Sequence, residues 1–107
     1  MGTGRYSPLR SPRFAYRADL EIEWGSARLR GSTRDISSSG MYIQTPDTLW
    51  VGAGFTAHLK LDKTVKVDCY VKRVEPGRGM GVSLTVSESQ HQEEFQNFLS
   101  TLANTSP

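Results

Sequence analysis

Hydrophobic and polar positions alternate with a period of two along most of this chain and change to a helical period only near its end. In ADLEIEW, Leu20, Ile22 and Trp24 alternate with Asp19, Glu21 and Glu23. That is the pattern of a half-buried strand with its three apolar residues facing inward. Gly25-Ser26 follows as a two-residue hairpin turn with glycine at the first central position. Partners on the returning strand then sum to 51, so Glu23 faces Arg28, Glu21 faces Arg30 and Leu20 faces Gly31. Extended outward, the same register sets Tyr16 opposite Asp35 and Arg17 opposite Arg34. MYIQT reads as a short strand and PDTLWVGAG as a turn-rich crossing loop. In FTAHLKL, Phe55, Ala57, Leu59 and Leu61 alternate with Thr56, His58 and Lys60. A turn over 62–64 returns Val65, Val67, Cys69 and Val71 to the same face and places His58 opposite Asp68. Pro76-Gly77 suits a tight turn into the last strand, GMGVSLTV, with Val82, Leu84 and Val86 inward.

From Ser87 the apolar spacing becomes helical. Phe95, Phe98, Leu99 and Leu102 form an i, i+3, i+4, i+7 stripe, and Ser87 with Gln90 has capping-box spacing. The chain therefore divides into an N-terminal arm (1–12), a barrel-forming segment (13–86), an amphipathic helix (87–103) and a tail (104–107). Six short strands and one helix argue for a mainly β protein, a small antiparallel barrel whose closure removes sheet edges. At 107 residues one core is expected. On the apolar periodicity, Trp24 and Cys69 belong to that core.

Composition narrows the function classes. The formal net charge is +2, from 13 basic and 11 acidic residues, too balanced to grip many phosphates of a nucleic acid polymer. A small anionic ligand fits better. Nine of the 13 basic residues are arginines, whose planar forks suit phosphate and guanine edges. The lone Cys69 forms no internal disulfide, and no Cys/His cluster has zinc spacing. No apolar run approaches the roughly 20 residues of a membrane span, so a cytoplasmic protein is expected. His58 and His91 lack a partnered nucleophile, and no acid/base set emerges. A binding module is expected, not an enzyme, with neither metal nor cofactor.

Two motifs carry chemistry. Arg13-x-x-x-Arg17 is weak alone, since the spacing recurs at Arg30 and Arg34. Asp35-x-Ser37-x-x-Gly40 is more specific, and the first hairpin brings the two together. Arginines can fork onto phosphate or guanine O6/N7, or stack on a base. Asp35 can accept from guanine N1-H and N2-H, Ser37 adds a hydroxyl, and Gly40 permits positive φ and close backbone approach.

Together the motifs resemble the signature of the PilZ domain family, and Gly79-Met80-Gly81-Val82 is similar to that family's final strand. The resemblance implies a six-stranded barrel that binds the bacterial second messenger cyclic di-GMP through Arg13, Arg17, Asp35, Ser37 and Gly40. Arg10, Arg34, Ser38 and Arg78 are possible further contacts. It also implies that the arm closes over the ligand and signals to a protein partner. In one respect the chain departs from many members, which carry an arginine directly before the first motif arginine where this chain has Pro12. The alternative reading is an adaptor barrel that binds no nucleotide and acts through its helix and loops.

Overall fold

The first hairpin forms in the expected register. In the computed structural model, which describes residues 12–105, β1 (Phe14–Ala15) is followed by β2 (Asp19–Trp24) and β3 (Ala27–Ile36). Glu23 pairs with Arg28, Glu21 with Arg30 and Leu20 with Gly31. Gly25 supplies the turn at φ 59, a conformation that costs glycine little. The chain continues through β4 (Gly40–Gln44), β5 (Gly54–Lys60), β6 (Thr64–Glu75), β7 (Gly79–Thr85) and α1 (Ser89–Thr105). Residues 1–11, most of the expected arm, lie outside the described residues, and Arg10 with them.

Hydrogen-bonded neighbours run β3-β2-β5-β6-β7-β4, and a β3–β4 pairing closes the ring. The result is a six-stranded antiparallel barrel, with β1 added against the far end of β3. Ile22, Ile36, Met41, Ile43, Ala57, Leu59 and Met80 are fully buried inside it. Val65, Val67, Cys69 and Val71 join them, as the alternation predicts, and burial raises the Cys69 thiol pKa.

Three local expectations are corrected. Trp24 is 36% exposed: it ends β2 beside the turn, and its ring packs edge-on against Trp50 at 5.2 Å instead of entering the core. His58 pairs with Lys66, not Asp68, and its Nε2 lies 3.0 Å from Glu23 Oε1. The turn lies one residue earlier, over 61–63, with the Leu61 N–H donating to the Lys63 carbonyl. The resulting slip of two residues leaves every side chain on its predicted face, because a strand repeats every two residues. Finally, the helix begins at Ser89 and not Ser87. Its first turn is fixed by the Gln92 side chain, which donates to the Val86 carbonyl at 2.7 Å.

The helical stripe packs as anticipated. Phe95 and Leu99 are buried, with Phe98 and Leu102 partly buried against the core. His91 Nδ1 accepts a hydrogen bond from the Lys66 backbone N–H at 3.1 Å, tying the helix to β6.

Candidate functional site

Three register irregularities shape the outer face of the barrel. Thr33 pairs with Ile43 but Asp35 with Tyr42, so β3 carries one extra residue, Arg34. Val71 pairs with Val82 but Arg73 with Gly81, so β6 carries one extra residue, Lys72. A bulge of this kind turns two successive side chains to one face. Arg34 with Asp35, and Lys72 with Arg73, therefore both point outward, while Ile36 returns to the core.

The third irregularity lies between β1 and β2, in the segment that joins the arm to the barrel. Asp19 pairs with Ser32, but Ala15 pairs with Asp35 and Phe14 with Ile36. Tyr16 is thus not opposite Asp35, nor Arg17 opposite Arg34, because the arm side holds one more residue than β3. The buried Thr33 hydroxyl bridges the gap, accepting from the Ala18 N–H at 2.9 Å and donating to the Tyr16 carbonyl at 2.7 Å. The Tyr16 ring packs edge-on against Phe98 of α1 at 4.9 Å.

Register then aligns Asp35, Tyr42, Gly81 and Arg73 in one row across β3, β4, β7 and β6. Gly40 faces Ser83 in the next row. Above these rows lies an open cleft of about 480 Å³, lined by residues that include Arg13, Arg34, Asp35, Gly40, Lys72 and Arg73. Four cations face the single carboxylate of Asp35. Arg13 is ion-paired with Asp35 Oδ1, and Arg34 Nε donates to Asp35 Oδ2 at 3.3 Å. The guanidinium carbon of Arg34 sits 3.9 Å from the centre of the Tyr42 ring. Beneath, that ring crosses Gly79, where a Cβ would come within 2.6 Å of it, and its hydroxyl donates to Glu75 Oε1.

This bond, above all else, raises the Tyr42 pKa and lowers that of Glu75. Its contribution to stability is lost as pH rises through the raised phenol value, and again as pH falls through the depressed carboxyl value. In a phenolate absorbance titration Tyr42 should ionise above the ordinary tyrosine value of 10.0. Glu75→Gln should return it toward that value, and an unchanged titration would contradict the assignment.

Of the residues singled out from the sequence, Arg13, Asp35, Gly40 and Arg34 come together at this cleft. Gly40 is required for a different reason than a positive φ, which among the described residues only Gly25, Gly52 and Gly77 adopt. A Cβ on Gly40 would approach the Val82 carbonyl oxygen to 2.8 Å and the Arg13 guanidinium to 3.3 Å. Ser37 is buried and shapes the loop: its hydroxyl accepts from the Gly40 N–H at 3.1 Å and caps the turn over 37–40. Arg17 is exposed in the connection between β1 and β2 and does not line the cleft. Ser38 lies toward Phe95 of the helix, and Arg78 sits in the β6–β7 turn, where its N–H donates to the Glu75 carbonyl. Tyr42, Lys72, Arg73 and Ser83 were not anticipated. Arg73 was hidden by strict alternation, which would turn it inward two residues after Val71.

A family model described as the PilZ domain matches residues 9–100. No curated protein sequence matches the chain. Among solved structures, the Bacillus subtilis inhibitor of motility (MotI/DgrA) superposes with a TM-score of 0.75 at 16% identity, over 96% of this chain and 55% of its own. The PilZ domain of CeSA from a cellulose-synthesizing bacterium gives 0.67 at 21% identity, over 87% of this chain and 99% of that one. MrkH, described as a c-di-GMP-dependent transcription regulatory factor, gives 0.70 at 16% identity, over 91% and 52%. This chain spans about half the length of the motility inhibitor and of MrkH.

Proposed function

The chain belongs to the PilZ domain family, and we propose that it is a cyclic di-GMP receptor module whose arm and helix relay binding to a protein partner. The observation that carries this reading is the cleft of four cations around one carboxylate, Asp35, on an otherwise nearly neutral protein. Such a site suits a ligand with two phosphates and a guanine edge, because the cations meet the phosphates while the carboxylate accepts from guanine N1-H and N2-H. Gly40 and Gly81 leave room for close approach. Arg17, outside the cleft lining, joins it when the arm and the segment that follows it close over the ligand. Movement of the arm reaches α1 through the Tyr16–Phe98 contact, which gives binding a route to a partner.

Calorimetry tests the reading. The parent chain should bind cyclic di-GMP, and Arg13→Ala and Arg17→Ala should each weaken it about tenfold or more, the loss of a charge-assisted bond. No heat with the parent, or equal affinity in all three proteins, would refute it.

One observation favours the adaptor alternative: Trp50, Val51 and Tyr70 are each more than half exposed, and aromatic residues of this kind anchor protein interfaces. An adaptor of that type would keep its partner in Arg13→Ala and lose it in Trp50→Ser.

A further inference from the structure

Arg34 is held in an unusual way for a surface arginine. Its guanidinium lies 3.9 Å over the Tyr42 ring, and its Nε is fixed by Asp35 Oδ2 at 3.3 Å. The ring beneath cannot sink further, because it already crosses Gly79 and is anchored by its hydroxyl to Glu75. Tyr42 is accordingly only 4% exposed, whereas the Arg34 side chain remains 51% exposed and lines the cleft. The guanidinium is thus backed by Tyr42, while about half of the side chain stays exposed where it lines the cleft. A long, flexible side chain ordinarily loses rotamer freedom when it binds. Here Tyr42, Asp35 and Glu75 have already imposed that order.

From this geometry we infer that Arg34 is a preorganised stacking shelf for a purine base, completing a Tyr42–Arg34–base sandwich in the cleft. The inference rests on the cyclic dinucleotide reading above and adds a division of labour to it. Asp35 reads the edge of a guanine, so it discriminates between bases. Arg34 supports the face of a purine through a flat, cationic surface, which is indifferent to the groups on the base edge. A lysine could replace its charge but not its plane.

The experiment compares cyclic di-GMP with cyclic di-IMP, whose hypoxanthine lacks the N2 amino group, on the parent, Arg34→Lys and Tyr42→Leu. Calorimetry should show Arg34→Lys weakening both ligands by about the same factor, on the order of tenfold, with the ratio between them unchanged. Tyr42→Leu, which removes the backing ring, should act in the same direction. In the parent, the Arg34 Nε–H proton resonance should move upfield as the ligand's base ring passes over it. Arg34→Lys binding as tightly as the parent, or an Arg34 resonance that does not move on saturation, overturns the shelf while leaving the receptor reading intact. A parent chain that binds neither ligand overturns both.

Discussion

Asp35→Ala is expected to lower the affinity for cyclic di-GMP about a hundredfold and to erase the preference for cyclic di-GMP over cyclic di-IMP. Two effects of opposite sign compete in this substitution. Removing a carboxylate from a cleft that receives phosphates relieves repulsion, but in a site this open that gain is on the order of 1 kcal/mol. Against it stands the loss of two hydrogen bonds to a charged acceptor, about 1.5–3 kcal/mol each. A further loss comes from Arg13 and Arg34, which Asp35 now holds in place from both sides. The loss wins. Calorimetry with both ligands decides the matter, and tighter binding by Asp35→Ala would mean that the carboxylate meets the ligand chiefly by repelling its phosphates and reads no guanine edge.

The largest effect on stability is expected from Phe95→Ala. Phe95 is 1% exposed and is the largest of the fully buried side chains. Its truncation removes about 3–5 kcal/mol, the transfer free energy of the ring plus the cavity it leaves. For a domain of this size the melting temperature should then fall by more than about 10 °C, as followed by circular dichroism. Phe98→Ala should cost less, because Phe98 is only partly buried, yet it should release Tyr16 and with it the arm. A Phe95→Ala protein that melts with the parent would show that the helix contributes nothing to the barrel.

The elements of this fold were largely legible because barrel strands bury one face, and the period-two pattern states which. Even the wrong register for His58 left Phe55, Ala57 and Leu59 correctly buried, since the error was an even number of residues. Trp24 was misplaced because alternation is silent about where a strand passes beyond the rim of the core. The site was legible only in part. Arg13, Asp35 and Gly40 lie in a recognisable spacing, but Lys72 and Arg73 reach the cleft through a bulge that alternation cannot reveal. Tyr42, in a strand whose residues are nearly all buried, gave no sign that its ring lies on the outer face. The one-residue excess on the arm, bridged by Thr33, likewise moved Tyr16 and Arg17 away from their expected partners.

The bulges also determine which changes of sequence the cleft can survive. A substitution at Arg34 or Lys72 removes one side chain and leaves its neighbours in place. Deleting either residue restores plain alternation and likewise leaves the neighbouring charge, Asp35 in β3 or Arg73 in β6, on the outer face, with Ile36 or Val74 still directed inward. The core therefore tolerates the loss of either bulge, and what the cleft loses is one of its two successive charges. In the divergence of such barrels, a bulge can thus come or go without disturbing the interior, and the charge of the cleft changes with it one residue at a time.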